Sequence, residues 1–351
     1  MSNNEAPSAA VRVAFIGDSA VAEIYARHLS RLKNSIFTAF ASPDVEQGRH
    51  AAESLHASRF CQGSGIDLLN DHADEFDAVA IHAPIHQRKG LAELAIRRGK
   101  HLYISAPISF DEHETNEIIE LAKGANVSLT IGHVERFLPA IQTVKQVLDA
   151  GKLGTPGLLR IHRWNTAGVT NETTASDEMI ATETNAIRRA LPDLDLARWF
   201  FGTLPTEMYV LGAATPLSPE DSFDYIQLHL GFPNGGMALI DNTRSLRGAN
   251  NYYSLSVIGA SGAAYADDHH NQQLLFHGDS PPTALLTGQG DLHHIKAFAE
   301  FLSRIPGTSP KPAAPMDEQA ELDVIKIVSA AELSFSKKRS VQLVGDQYEL
   351  R

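Results

Sequence analysis

The chain has 351 residues, 43% of them hydrophobic, and a formal net charge of −12. That is enough apolar material for two domains with their own cores, and an acidic chain with no Lys/Arg-rich stripe is not built to bind nucleic acid. Cys61 is the only cysteine, which excludes an intramolecular disulfide and a cysteine-ligated zinc, and makes a reducing compartment the simpler expectation.

In chain order, Val11 to Ile16 is a short apolar strand pattern running directly into Gly17. Val21, Ile24, Tyr25, His28, Leu29 and Leu32 then recur at helical spacing. Further strands are expected at 36–41, 78–82, 101–104 and 127–131, with helices at 45–55, 90–98 and 111–124 between them. This alternation predicts an α/β fold that opens with a Rossmann doubly wound parallel sheet over 11–133. Beyond Gly132 the pattern changes. After a helix at 138–148, segments 158–164, 207–211, 224–232, 236–242 and 253–258 read as strands, and Pro233-Asn234-Gly235 is a hairpin turn signal. A helix is expected at 187–201, with Pro192 in its first turn or at a break. The second domain, 134–343, is therefore expected to be α+β with a mostly antiparallel open sheet. Later helices are expected at 292–302 and 316–335, the latter packing back on the first domain. Residues 1–10 and 344–351 are expected to be tails. Residues 1–10 lack the layout of a secretory signal, and no run of about 18 apolar residues spans a membrane, so a cytoplasmic location is the default expectation.

Several motifs point to one family. Gly99-Lys100-His101-Leu102-Tyr103-Ile104-Ser105-Ala106-Pro107, Gly132-His133-Val134-Glu135-Arg136-Phe137 followed by Pro139-Ala140, Gly151-Lys152-Leu153-Gly154, Asp193 to Gly202, and Gly259 to Ala263 recur in order. Together they resemble the glucose–fructose oxidoreductase, inositol dehydrogenase and MocA family from about Val11 to about Leu343. The resemblance implies a dinucleotide-binding first domain, a substrate domain, and a homodimer or homotetramer formed through the second sheet.

The same resemblance exposes losses. The family's Glu-Lys-Pro, whose lysine assists proton movement, reads Ser105-Ala106-Pro107 here. Its Asp-x-x-x-His pair falls on Arg188 and Pro192, counted back from Asp195, and proline has no titratable group for acid–base work. The phosphate loop Gly-x-Gly-x-x-Gly reads Gly17-Asp18-Ser19-Ala20-Val21-Ala22. Ser19 narrows the place where backbone should approach a pyrophosphate, although the helix N-terminus still suits an anion. The acid that usually meets the adenosine ribose is Ser42, which favours NADP over NAD. Asp44 either serves the ribose or caps the next helix.

The candidate cofactor residues are thus Gly17, Asp18, Ser19, Ala20, Val21, Ser42, Ala83, Pro84, Ser105, Ala106 and Pro107. The cofactor implied is NAD or NADP, with no cofactor as the remaining reading. No catalytic residue stands out, and Tyr103, Glu183 and Asp195 are the spare candidates. His133, Arg136, Arg188, Arg189 and Arg88 are expected on the substrate side, where arginine in place of an acid suggests an anionic small-molecule ligand. Equally, those arginines pair with acids of the chain itself. The adjacent pairs His269-His270 and His293-His294 lack metal-ligand spacing, so no metal is expected. Two functional classes remain: a divergent oxidoreductase, or a non-catalytic ligand sensor or partner subunit.

Overall fold

The structure, a computed structural model, describes residues 10–32, 34–166, 186–213, 225–246, 251–267, 272–277, 283–286, 291–309 and 317–351. These fall into two compact units. One comprises the chain up to Val134 with Asp291 to Glu318, and the other begins at Glu135 and includes Gln319 to Arg351.

The first unit is built on β1 (Val11–Gly17), α1 (Ser19–Arg27), β2 (Ser35–Ser42), α2 (Val45–Ser54), β3 (Arg59–Gln62), α3 (Ile66–Asp71), β4 (Ala78–His82), α4 (Ile85–Arg97), β5 (His101–Ser105), α5 (Glu112–Gly124) and β6 (Leu129–Gly132). The strands pair in the order β3-β2-β1-β4-β5-β6, all in parallel. The strand order reverses between β1 and β4, and ligands of such sheets bind outside the carboxyl ends of the strands at that point. Strands of this kind are apolar on both faces because helices cover both. Val13, Ala14, Phe15, Ile16, Ala78, Val79, Ala80 and Ile81 are accordingly all buried. The strand β3, absent from the sequence reading, is a short edge strand with the sequence Arg-Phe-Cys-Gln, too brief and too polar to register as an apolar run.

The second unit holds α6 (Pro139–Asp149), β7 (Pro156–Thr166), α7 (Ala186–Arg189), α8 (Leu191–Phe201), β8 (Glu207–Ala213), β9 (Tyr225–Gly231), β10 (Met237–Leu246), β11 (Tyr252–Gly259), β12 (Gly262–Asp267), β13 (Gln272–His277) and β14 (Thr283–Leu286). The helix α9 (Leu292–Arg304) belongs to the first unit, and α10 (Glu318–Lys337) almost wholly to the second, which ends in β15 (Val341–Val344) and β16 (Gln347–Leu350). The sheet order is β14-β13-β12-β11-β7-β10-β9-β8-β15-β16. Among its pairings only β7 with β10 is parallel; the sheet is mostly antiparallel, as read from sequence. Pro192 lies in the first turn of α8, and the expected single helix at 187–201 is divided before it.

Within the first unit, Phe298 and Phe301 of α9 lay their rings against Tyr103, at 5.4 and 5.8 Å between centroids. One expectation changes. The expected C-terminal tail is instead the hairpin of β15 and β16, whose turn at Gly345 takes φ +61°, a conformation glycine adopts without strain.

The two faces of the second sheet differ. Leu159, Ile161, Met208, Val210, Leu228, Ile240 and Val257 on one face are buried. On the other, the register aligns Met237, Leu158 and Ile258 across three strands. Met237, Ile258, Leu211 and Tyr265 there are 54%, 39%, 46% and 40% exposed.

Candidate functional site

In the first unit the chain turns sharply from β1 into α1. Gly17 has φ +126°, and a Cβ there would lie 2.1 Å from the His82 carbonyl oxygen. Glycine is required because two strand ends approach this closely. The next residue closes the helix N-terminus. The Asp18 carboxylate accepts from the Ala20 N–H at 2.7 Å and the Val21 N–H at 3.4 Å, as an N-cap does, while the Asp18 N–H donates to the His82 carbonyl at 3.1 Å. Ser19, at the second glycine position, is buried, and its hydroxyl lies 3.3 Å from that of Ser42. Ser42 is 2% exposed and its hydroxyl also accepts from the Asp44 N–H at 3.3 Å. Asp44 caps α2 through the Gln47 N–H at 2.9 Å, which decides the open reading in favour of capping.

The loops after β4 and β5 are tied by Arg88. It is buried, and it donates to the carbonyls of Ala83 at 2.8 Å, Ser105 at 3.2 Å and Pro107 at 2.7 Å. Arg88 is therefore a strap between backbone segments and not a substrate-side cation: its side chain is long enough to fold back onto strand-end carbonyls that a histidine would not reach. The Ala106-Pro107 peptide is cis, and the Ala106 methyl carries no group for proton transfer.

Beneath these loops lies His82, which the sequence reading passed over as the last residue of a strand. A histidine ending an otherwise apolar run was the available signal. Its ring stacks on Phe15 at 4.9 Å. Its Nδ1 lies 2.8 Å from the Ser105 hydroxyl and its Nε2 3.4 Å from the Tyr25 hydroxyl. Burial, reinforced by the Arg88 charge, lowers its pKa to about 3, so the ring is neutral. Tyr103, a spare catalytic candidate, has no exposed surface. It is a core residue because the short Gly132 leaves room for its hydroxyl, which a Cβ would approach to 2.4 Å. His133 is buried too, and His86 is exposed beside Gln87.

In the second unit the surviving motif is turned inward. Asp193 and Asp195, near the start of α8, are 0% and 1% exposed. Arg163 on β7 donates to Asp193 through Nη2 at 2.8 Å and Nε at 3.0 Å. Arg136 donates to Asp195 through Nε at 2.7 Å, with a second N–H on the other oxygen. Arg188 pairs with Glu332 at 2.8 Å. Asp195 is thus a structural acid rather than a spare catalyst. Arg136 and Arg188 are matched to carboxylates and Arg88 to carbonyls, in line with the reading in which these arginines pair within the chain. Arg189 is half-buried beside Arg188. Glu183 lies outside the described residues. Among the described residues no His, Cys, Asp or Glu grouping could hold a metal, and no helix is long and apolar enough to cross a membrane.

A dinucleotide would need the Ala20 and Val21 N–H groups for its pyrophosphate and room at Ser19. The residues present do not fit it in this arrangement, because an internal carboxylate holds those N–H groups and a buried serine side chain stands where the family's loop has a glycine.

Comparison with known proteins matches residues 11–133 to the oxidoreductase family with the NAD-binding Rossmann fold, GFO/IDH/MocA, and residues 141–265 to the GFO/IDH/MocA C-terminal domain. An uncharacterized oxidoreductase of Bacillus subtilis, YrbE, is 28% identical over 72% of each chain. Myo-inositol 2-dehydrogenase of Thermotoga maritima is 24% identical over 95% of this chain and 98% of its own. Levoglucosan dehydrogenase, solved with NADH and levoglucosan, superposes with a TM-score of 0.78 at 18% identity, over 95% of this chain and 99% of that one. With both of its domains matched in order, the chain belongs to the Gfo/Idh/MocA oxidoreductase family, with that family's NAD-binding Rossmann fold.

Proposed function

We propose that this protein is a member of the family that has given up polyol and sugar dehydrogenation and works as a non-catalytic ligand-binding or partner subunit. One observation carries the reading. The helix where the family keeps its acid–base histidine carries Pro192 in its first turn, and the acids beside it are consumed by Arg163 and Arg136. Ala106 removes the lysine as well. Loss of one general acid–base group typically costs about 10²–10⁴-fold in rate, and two are missing. The open face of the second sheet, where Met237, Ile258, Leu211 and Tyr265 are exposed among polar residues such as Arg160 and His229, supports a homo-oligomer assembled through it, since large apolar side chains exposed on one face mark an interface.

The second reading, a divergent oxidoreductase, is favoured by the family itself and by relatives that are dehydrogenases. In that case NADP(H) is accepted at least as well as NAD(H), because Ser42 brings no carboxylate toward a 2′-phosphate. Screening neutral polyols and sugars with NAD+ and NADP+, followed by nicotinamide absorbance, separates the readings: the first gives no turnover, the second gives turnover with at least one pair.

A further inference from the structure

We infer that the cofactor half of this chain is closed by its own groups, the Asp18 carboxylate holding the helix N–H groups that a dinucleotide pyrophosphate would need. Three features, each at a position where the family meets its cofactor, agree. At the phosphate loop, Asp18 accepts from the Ala20 and Val21 N–H groups. It places a negative charge at the positive end of α1, where a second anion would be repelled. At the second glycine position, Ser19 is buried and lies 3.3 Å from the Ser42 hydroxyl, so the end of β2 is joined to the loop instead of parted from it. At the carboxyl ends of β4 and β5, the carbonyls of Ala83, Ser105 and Pro107 are already bonded to Arg88. The Ala20 and Val21 N–H groups and the carbonyls of Ala83, Ser105 and Pro107 thus already have partners within the chain. In physical terms, Asp18 does for the helix what a bound phosphate does elsewhere.

This inference does not rest on the proposed function. A protein that binds NADH but oxidises no polyol would contradict the inference and leave the proposed function standing.

The test is isothermal titration of the full chain with NADH, NADPH and inorganic pyrophosphate, for the wild type, Asp18→Ala/Ser19→Gly and Asp18→Asn. The wild type is expected to give no saturable heat up to about 1 mM, which corresponds to less than about 4 kcal/mol of binding. The double variant frees two N–H groups and opens the loop, and is expected to bind at least about tenfold more tightly, NADPH no more weakly than NADH. Should circular dichroism show that the double variant does not fold, Asp18→Asn decides. It keeps a good capping residue while removing the charge, and is expected to gain a measurable affinity. Micromolar binding by the wild type would overturn the inference. So would a folded double variant, or failing that a folded Asp18→Asn, that binds no better than the wild type, since Asp18 would then not be the obstacle.

Discussion

Arg136 grips Asp195 with two N–H groups, one of them at 2.7 Å, and the carboxylate so held is 1% exposed. The last acid of the family's substrate motif is thereby a fold element. Removing one partner of a buried pair strands a charge, which typically costs about 3–5 kcal/mol. Arg136→Leu should lower the unfolding free energy measured in urea by an amount of that order. Arg136→Lys should recover only part of it, because an ammonium cannot reproduce the planar fork. A loss below about 1 kcal/mol in the Leu variant would show that Asp195 is not held in this way.

Arg88 makes a second test of the same kind. Its buried guanidinium meets three carbonyls, and hydrogen bonds to charged groups contribute about 1.5–3 kcal/mol each. Arg88→His, which installs the family's residue, should destabilise by at least about 3 kcal/mol, measured by chemical unfolding, and should not create dehydrogenase activity. A His variant as stable as the wild type would argue that the strap contributes nothing.

Stability should also depend on pH through His82. Its pKa is lowered to about 3 by burial and by Arg88, against about 6.5 in an unfolded chain. Between these values the unfolded state binds a proton that the folded state does not, so stability rises with pH. The contribution is fully present above about pH 6.5. It is lost as pH falls toward 3, at up to about 1.4 kcal/mol per pH unit. His294, equally buried, is shifted in the same direction. Unfolding free energies measured from pH 7.5 to 4.5 should fall less steeply in His82→Asn than in the wild type. Parallel slopes would remove His82 from the account.

The open sheet face gives an assembly test. Met237 and Ile258 align across the register of β10, β7 and β11 and remain exposed. Met237→Glu/Ile258→Glu should shift the mass in light scattering from oligomer to monomer with unchanged circular dichroism. An unchanged oligomer would place the interface elsewhere.

The fold was legible because it is written in long patterns. Apolar runs alternating with helices set the parallel sheet, and turn signals such as Pro233-Asn234-Gly235 set the meander. What was missed was short or polar, as with Arg59–Gln62, or hidden in an apparent tail, as with Gln347–Leu350. The losses at Ala106 and Pro192 were readable because each removes a functional group outright. The fates of Arg88, Asp18 and Tyr103 were not. A long cation can fold back on carbonyls or face a ligand, an aspartate before a helix can cap it or stand aside, and a tyrosine on a central strand has two faces. Only the packing decides among these. Asp44 and Asp195, for which a plain structural role was one of the readings, took that role.

Loss of dehydrogenase activity is measured as steady-state turnover of the purified wild type with NAD+ and NADP+ against myo-inositol, levoglucosan and a panel of neutral sugars, followed at the nicotinamide band. With Ala106 and Pro192 in place of the proton-transfer groups, neither nucleotide should be reduced above the no-enzyme rate. Turnover of any of these substrates at an ordinary enzyme rate, about 1 s⁻¹ or faster, would contradict that loss.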